Sequence, residues 1–275
     1  MNKICLVILA AGMSSRFGGT PKQFVKIGPN GETLIEYSVN QALKMQFSQI
    51  HFIVGEKTEK LIKNLFGNKY MLHNSDKSIP ITYSMQTYDK SVRSKPWGTA
   101  DALTTIKGYI NTPFIICNGD DIYGSETFKI CYNQLVLDEN ISMGFLLKDV
   151  LPESGKVNRG IFTIDKNNNM ITLNETFGIE KKNVSPKMLE TAMCSVNFFG
   201  FQPNIIDIII DRNNLFKKKN KKNKNVECLL PIVINNLVND KIINIKVFIS
   251  NDKWYGVTNP GDEIIMSQQI KNDSK

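Results

Sequence analysis

A short apolar run that ends in a loop of small residues most constrains the fold of this chain. Residues 4–9 are all apolar, and Ala10, Ala11 and Gly12 follow them directly. Such a run is typical of a buried strand, and small residues let the backbone approach a ligand closely. Because open α/β sheets hold nucleotides at the carboxyl ends of their strands, we expect a nucleotide site beside this loop.

The residues after this loop include two cations that suit phosphate oxygens. Arg16 offers a planar fork of donors, whereas Lys22 offers a mobile point charge. Pro21 biases Thr20 towards an extended backbone and so stiffens the approach to Lys22. The pattern therefore predicts that Arg16 and Lys22 contact a phosphate.

This segment resembles the opening of the sugar-1-phosphate nucleotidylyltransferases, or NDP-sugar pyrophosphorylases, whose pattern is L-A-A-G-x-G-x-R followed by P-K. The matching residues are Leu9, Ala10, Ala11, Gly12, Arg16, Pro21 and Lys22, with Ser14 at the second glycine. The resemblance implies a Mg²⁺-dependent enzyme that joins a nucleoside triphosphate to a phosphorylated acceptor, foremost a sugar 1-phosphate. It also implies catalytic roles for Arg16 and Lys22 and nucleotide contacts from residues 9–12.

Strands and helices alternate along the first half of the sequence. Strands are predicted at 4–9, 50–54, 79–85 and 114–117. Helices are predicted after a capping box of Thr33 and Glu36, and at 57–66 and 101–109. This order predicts an α/β fold, a Rossmann-like and mostly parallel sheet with helices on both faces.

The second half of the sequence does not follow this regular alternation. It reads as a hairpin at 160–164 and 170–173, strands at 195–201 and 245–249, and helices at 204–215 and 227–238. No Pro/Gly-rich linker divides the chain. We interpret residues 1–275 as a single nucleotidyltransferase domain, with a nucleotide-binding half over residues 1–124 and an acceptor-binding half over residues 125–275.

A polar cluster follows the strand at 114–117. Asn118, Gly119, Asp120 and Asp121 are common turn residues, so a plain turn is one interpretation. The resemblance implies instead that Asp120 binds Mg²⁺ and nucleotide, and hard carboxylate oxygens suit that ion. We interpret Asp121 as a supporting or turn residue.

Three residues resemble the nucleotide-recognition segment of the family. Gln86 stands where relatives read the base, and Gly98 and Thr99 belong to a G-T-A segment against base and ribose. Thr99 is also expected to cap the following helix. Arg93 and Lys95 lie between Gln86 and Gly98, in an insertion that we interpret as a candidate lid.

Acceptor contacts are implied by three further matches, at Gly160, Glu175 and Asn197. Gly160, with Arg159, resembles the backbone position that meets the sugar, and Glu175 begins the E-K-P pattern that grips sugar and phosphate. Thr176 replaces the lysine of that pattern, and we expect Lys181 or Lys182 to supply the charge.

The sequence departs from the family near its end. Residues 254–260 resemble W-x-D-x-G-T-P, but Gly256 stands at the aspartate that holds the metal as a second ligand. Asp252 is one candidate replacement. A magnesium site made of Asp120, phosphates and waters is another, because magnesium needs few protein ligands.

Composition bounds the remaining possibilities. Lys217 to Lys224 holds six lysines, so this tract carries most of the net charge of +8. No aromatic residues are interleaved with it, which favours a solvated loop over a nucleic-acid surface. The five cysteines have no paired spacing and no segment has transmembrane length, so we expect a cytoplasmic protein without membrane or nucleic-acid partners. A homo-oligomer stays possible.

Three functions are therefore weighed. The first is a nucleotidylyltransferase that makes an NDP-sugar and pyrophosphate. The second is a cytidylyltransferase acting on a small phosphate that is not a sugar, which Thr176 and the insertion before Gly98 keep open. The third is a regulatory nucleotide-binding homologue without catalysis, which the glycine at position 256 keeps open.

Overall fold

A computed structural model of the chain describes residues 3–12, 21–71, 78–153, 155–256 and 261–273. Twelve strands are present in these ranges. They are β1 (Cys5–Ala10), β2 (Gln49–Val54), β3 (Lys69–Met71), β4 (Ser78–Met85), β5 (Phe114–Asn118), β6 (Asp121–Ile122), β7 (Ile141–Leu146), β8 (Val157–Ile164), β9 (Met170–Ile179), β10 (Met193–Phe201), β11 (Lys246–Ile249) and β12 (Tyr255–Gly256).

The same ranges contain nine α-helices. They are α1 (Leu34–Ala42), α2 (Glu59–Phe66), α3 (Thr99–Thr104), α4 (Ser125–Val136), α5 (Leu147–Val150), α6 (Pro186–Thr191), α7 (Ile205–Lys219), α8 (Leu230–Asn239) and α9 (Asp262–Asp273). Helix α1 starts at the predicted capping box, in which the Thr33 side chain and the Glu36 side chain each accept from the other's backbone N–H.

One large sheet runs through the molecule in the order β11-β7-β10-β5-β1-β2-β4-β3, with β8 beside β10 and β9 beside β8. Strands β1, β2, β4 and β5 pair in parallel. Strand β10 is antiparallel to both β5 and β7, so β7 and its parallel neighbour β11 run in the same direction as β5. Only β3 and β10 oppose the others in this order. The predicted mostly parallel α/β sheet is confirmed.

Alternate side chains of β1 enter two different apolar clusters. Leu6 and Ile8 belong to the cluster that includes α1 and α4, whereas Cys5 and Val7 belong to the one that includes α3, α7 and α8. Because successive strand side chains point to opposite faces, both faces of the sheet are covered by helices. This double burial explains why the first strand is an unbroken apolar run.

Most predicted elements agree with the structure within a few residues. Helix α3 is shorter than predicted and ends at Thr104, since turns occupy the residues after it. Strand β9 extends to Ile179, well beyond the predicted end at 173. Helix α7 extends to Lys219, so the lysine tract begins inside a helix rather than in the expected loop.

The stretch between residues 125 and 146 contains α4 and β7, neither of which has a counterpart among the sequence predictions. Phe128, Cys131 and Leu135 form the buried face of α4, so a helical spacing is present there. Helix α9 is likewise additional.

The candidate lid is attached to the protein instead of being free to move over a site. Arg93 is 5% exposed, its guanidinium lies 3.4 Å from the centre of the Trp97 ring, and it donates to the carbonyls of Asn223 at 2.9 Å and Val226 at 2.6 Å. Lys217, from the end of α7, forms an ion pair with the buried Asp101. The insertion and the lysine tract therefore hold each other, and the lid interpretation is wrong.

All five cysteines are buried and free. Burial raises the pKa of the Cys194 thiol to about 12 and that of the Cys228 thiol to about 11. Within the described ranges, none of the helices combines the length and the apolar character that crossing a membrane requires.

Candidate active site

One cavity brings together residues from both halves of the chain. It has a volume of about 230 Å³ and lies at the carboxyl end of β5. Six residues predicted for the site line it. The lining consists of Lys22, Thr99, Asn118, Asp120, Asp121, Asn158, Arg159, Gly160, Glu175, Ser195, Val196, Asn197, Leu229, Pro231, Trp254 and Gly256.

Lys22 and Asp120 are in direct contact within this cavity, with Lys22 Nζ 2.6 Å from Asp120 Oδ2. Burial lowers the pKa of Lys22, but the negative charges of Asp120 and Asp121 outweigh that effect and leave the pKa above its ordinary value. Lys22 is therefore a cation held against the carboxylates. The structure brings together one residue predicted to be catalytic and the residue predicted to bind metal.

Asp121 lies deeper than Asp120 and is 7% exposed. Its Oδ2 accepts from Asn118 Nδ2 at 2.8 Å and from the Tyr123 hydroxyl at 3.2 Å. Burial and the charge of Asp120 raise the pKa of Asp121 to about 6, although Lys22 acts in the opposite direction. Asp121 begins strand β6 and lines the cavity, so its interpretation as a turn residue is wrong.

Gly256 lies opposite Asp121 in the antiparallel pair of β6 and β12. A Cβ atom at position 256 would be 2.9 Å from Asp121 Oδ1. The carboxylate of Asp121 therefore borders the space into which an aspartate at position 256 would project.

Asp252, the candidate replacement for the missing carboxylate, has a different role. Its Oδ2 accepts from the backbone N–H of Thr127 at 2.8 Å, in the first turn of α4. The side chain thus caps that helix, and it is not among the residues that line the cavity. The expectation for Asp252 is wrong.

The predicted acceptor residues lie on three neighbouring strands. Gly160 and Glu175 are directly opposite each other in the β8–β9 pair, and Asn197 follows in β10. A Cβ atom at position 160 would be 3.4 Å from Glu175 Oε2, so glycine leaves room beside that carboxylate. Burial raises the pKa of Glu175 against the lowering effect of the Arg159 charge.

Asn197 has a backbone conformation that asparagine adopts more readily than most residues. Its φ is 59°, and the register between β10 and β7 shifts between Ser195 and Phe199. Such a left-handed residue in a strand costs free energy, and residues of this kind cluster at functional sites. Together with its place in the cavity lining, this strain supports a binding role for Asn197.

Gly98 and Thr99 connect the cavity to the segment before α8. Gly98 has a φ of +104°, and a Cβ atom there would be 2.6 Å from the Cys228 carbonyl oxygen, so only glycine fits. The cap position of α3 belongs to Gly98, which corrects the expectation for Thr99. Thr99 Oγ1 instead accepts from the backbone N–H of Leu230 at 2.9 Å.

Gln86 lies behind this turn and not in the cavity lining. Its side-chain Nε2 donates to the Gly98 carbonyl at 2.9 Å and to Asp101 Oδ2 at 3.3 Å. Gln86 therefore holds Gly98 in place, and its base-reading role stays a prediction.

The predicted nucleotide loop begins next to the acidic cluster. The Leu9 carbonyl accepts from the backbone N–H of Gly119 at 2.8 Å, which places the end of β1 beside Asp120. Leu9, Ala10, Ala11 and Gly12 are not among the residues that line the cavity. Arg16 lies outside the described residues, so its role also stays a prediction.

The sequence predictions named Arg159 and Trp254 only as parts of matching motifs and assigned no role to their side chains, yet both side chains line the cavity. The Arg159 guanidinium lies 5.0 Å from the centre of the Trp254 ring. Lys181 and Lys182 were expected to replace the lysine of the E-K-P pattern, but neither lines the cavity. Lys181 instead forms an ion pair with Glu153, and Lys182 forms one with Glu180. A role for the Arg159 side chain could be recognised only once the register between the strands was known.

Known proteins resemble this chain in sequence and in fold. Residues 6–78 match the MobA-like NTP transferase domain. The UTP–glucose-1-phosphate uridylyltransferase AglF of Haloferax volcanii is 25% identical over 148 residues, covering 52% of this chain and 54% of that protein. The chain spans about half the length of this and another curated relative that it matches.

Two solved structures share the fold over nearly the whole chain. A UDP-glucose pyrophosphorylase complexed with UDP-glucose has a TM-score of 0.67 at 17% identity, covering 99% of this chain and 100% of that one. The inositol-1-phosphate CTP transferase from T. maritima has a TM-score of 0.66 at 16% identity, covering 97% and 96%. The predicted resemblance to the sugar-1-phosphate nucleotidylyltransferases is thereby confirmed: residues 6–78 match the MobA-like NTP transferase domain, and the chain shares the fold of these two solved enzymes.

Proposed function

We propose that the protein is a nucleotidylyltransferase that joins a nucleoside triphosphate to a sugar 1-phosphate and releases pyrophosphate. The observation that carries this proposal is the meeting of Lys22 and Asp120 with Glu175 and Asn197 in one cavity. The first pair comes from the predicted nucleotide half and the second from the predicted acceptor half. The similarity to a uridylyltransferase acting on glucose 1-phosphate supports the same reaction class.

The chemistry needs positioning and charge neutralisation more than proton transfer. An oxygen of the acceptor phosphate forms a bond to the α-phosphorus, and the bond from that phosphorus to the bridging oxygen breaks, so that pyrophosphate leaves with the electron pair. The attacking oxygen is already anionic at neutral pH, and a general base is not required. Lys22 would stabilise the negative charge that develops on the phosphates, and Arg16 would do so by resemblance.

The residues present suit a bound Mg²⁺, which would supply positive charge to the triphosphate. Asp120 and Asp121 are neighbouring carboxylates in the cavity, and Asp121 borders the space beside Gly256. Across the described ranges, no three acidic, histidine or cysteine side chains converge on a common point. Two carboxylates with phosphate oxygens and waters would therefore complete the coordination, which is the usual arrangement for magnesium.

A second candidate keeps the mechanism and changes both substrates. The fold is shared with an inositol-1-phosphate CTP transferase, and Thr176 departs from the lysine of the E-K-P pattern. We therefore keep CTP with a small phosphate other than a sugar as the alternative. A reducing cytoplasm is the compartment we propose, supported by five free and buried thiols.

The proposal is tested by pyrophosphate release from the purified protein with Mg²⁺. The five substrates UTP, dTTP, CTP, GTP and ATP are each combined with sugar 1-phosphates and with inositol and small alcohol phosphates. Release with a sugar 1-phosphate supports the proposed function, and release only with CTP and a non-sugar phosphate supports the alternative. Nucleotide binding without any release would overturn both and indicate a regulatory nucleotide-binding protein.

A further inference from the structure

The sequence lacks a cation at a position where the resemblance calls for one. Thr176 follows Glu175, where the family pattern has lysine. Lys181 and Lys182, the nearest lysines along the chain, form ion pairs with surface glutamates and are not among the residues that line the cavity. The charge must come from another element if the acceptor phosphate is to be neutralised.

Arg159 lies directly opposite Thr176 in the antiparallel pair of β8 and β9. Residues directly opposite each other in such a pair project from the same face of the sheet, with Cβ atoms about 5 Å apart. Arg159 therefore starts from the same place on the sheet as a side chain at position 176. It lines the cavity with its neighbour Gly160 and with Glu175.

Contacts with the protein position the Arg159 side chain but do not occupy all of its hydrogen-bond donors. It donates to the Asn158 carbonyl at 3.0 Å and to the Val150 carbonyl at 2.9 Å, and the Trp254 ring lies beneath the guanidinium. Its Nε is buried and has no hydrogen-bond partner among the described residues. A guanidinium has five N–H donors, so this one keeps donors for a ligand oxygen.

The positive charge of Arg159 acts on both sides of the cavity. Its positive charge acts on Glu175, at the acceptor side, and on Asp121, at the proposed metal side. An acceptor phosphate has to lie between these two groups if its oxygen is to reach the α-phosphorus. Arginine suits such a ligand because its planar fork can bind two phosphate oxygens at once.

We propose that Arg159 binds the phosphate of the acceptor and so replaces, from the neighbouring strand, the lysine that position 176 lacks. This inference rests on the proposed function and names the group that recognises the anionic part of the acceptor. A similar cross-strand relation holds for Asp121 and Gly256, where a carboxylate on one strand faces a glycine at the position where the family pattern has aspartate.

The first experiment measures binding of inorganic phosphate by phosphorus NMR, and it does not depend on turnover. We expect the dissociation constant to rise at least about tenfold in Arg159→Gln, since tenfold corresponds to the loss of one modest charge-assisted contact. Lys182→Gln is the matched control, because it removes a cation from the adjacent surface segment, and it should bind as the original chain does. Absence of phosphate binding in the original chain, or equal binding in Arg159→Gln, overturns the inference.

The second experiment restores the charge at the other strand. Combining Thr176→Lys with Arg159→Gln should recover most of the lost phosphate affinity if the two positions reach the same ligand. Thermal melts verify that each variant folds. If Arg159→Gln does not fold, Arg159→Lys takes its place. That variant keeps the charge but loses the planar fork, and we expect it to bind phosphate with intermediate affinity. No recovery in the folded double variant counts against a shared phosphate position.

Kinetics separate this inference from the proposed function. With a productive substrate pair, Arg159→Gln should raise the KM for the acceptor at least about tenfold and leave the KM for the nucleotide within about twofold. A chain that binds phosphate through Arg159 but releases no pyrophosphate would contradict the proposed function alone. A chain that turns over with an unchanged acceptor KM in Arg159→Gln would contradict the role of Arg159 alone.

Discussion

Lys22 is the charged side chain of the cavity that interacts with both Asp120 and Asp121. It contacts Asp120 at 2.6 Å, and its pKa is raised by Asp120 and Asp121. In the proposed reaction, a cation held by these carboxylates would stabilise both the resting site and the negative charge that develops on the triphosphate during transfer. We therefore expect removal of Lys22 to slow the proposed reaction more than it weakens the binding of either substrate.

We expect Lys22→Ala to lower kcat for pyrophosphate release about 100-fold or more, in the range seen when one preorganised donor to a transition state is removed. The exposed Lys57 offers a control, and Lys57→Ala should leave kcat unchanged. Steady-state release assays with both variants measure the effect. Near-normal turnover in a folded Lys22→Ala protein would remove Lys22 from the mechanism.

Gly256 is a residue whose lack of a side chain the cavity requires. A Cβ atom at this position would be 2.2 Å from the Trp254 ring and 2.9 Å from Asp121 Oδ1. We expect Gly256→Ala to destabilise the protein by about 1–3 kcal/mol, as overpacking does, and to lower activity by displacing Asp121. Urea unfolding and pyrophosphate release measure the two effects.

A double variant shows whether the crowding comes from the indole. Trp254→Phe removes the ring atoms nearest to position 256, so Gly256→Ala should cost less free energy in that background. Equal costs in both backgrounds would show that the Trp254 ring is not the obstacle.

At the scale of elements, the Arg93 contacts join two segments that are distant in sequence. Arg93 stacks on Trp97 and donates to the carbonyls of Lys95, Asn223 and Val226. We expect Arg93→Ala to lower the free energy of unfolding by roughly 3 kcal/mol, because three backbone carbonyls lose a charged donor. The control Lys222→Ala, at an exposed residue of the tract, should change it by less than about 0.5 kcal/mol.

Chemical denaturation of the two variants gives this comparison directly. A loss in Arg93→Ala no larger than that in Lys222→Ala would mean that the insertion is held by other contacts, such as the ion pair of Lys95 with Glu227.

The sequence predicted helices and strands well, because the pattern of apolar residues that marks them lies within one short segment. It could not predict how separate strands pair. The strands around Ile8 and Ile116 are apolar runs, and the structure has them as β1 and β5. The pairs that decide the site, Gly256 with Asp121 and Arg159 with Thr176, depend on register between separate strands. Matching motif residues one position at a time therefore found Asp120 and Glu175, but assigned no side-chain role to Arg159.

At the scale of the whole molecule, a buried histidine links global stability to pH. His51 is fully buried in β2, its Nδ1 lies 2.7 Å from Thr82 Oγ1, and its Nε2 lies 2.9 Å from Ser84 Oγ. Burial lowers its pKa from 6.5 to about 4. Between these values the unfolded chain binds the proton more readily, so the free energy of unfolding falls as the pH falls.

We expect the decrease attributable to His51 between pH 7.5 and 4.5 to be about 2.5 kcal/mol, at 1.36 kcal/mol per pKa unit. His51→Gln keeps a polar group between Thr82 and Ser84 but cannot bind the proton in this range. Urea unfolding of both proteins at several pH values isolates the difference, because all other groups titrate alike. Parallel pH profiles would contradict the assignment.

The buried thiols can report which parts of the molecule unfold first, because a buried thiol reacts only after the structure around it opens. Cys228 N donates to the Trp97 carbonyl, and Cys228 O accepts from Ala100 N, so this thiol is shielded by the contacts around Arg93. All five cysteines belong to the two apolar clusters, but Cys228 lies in the segment before α8, whereas the other four lie in β1, β5, α4 and β10. A thiol reagent should therefore label Cys228 when this one region detaches, whereas the remaining four report only cooperative unfolding of the sheet. The order in which the five are labelled would map the hierarchy of openings in a single time course.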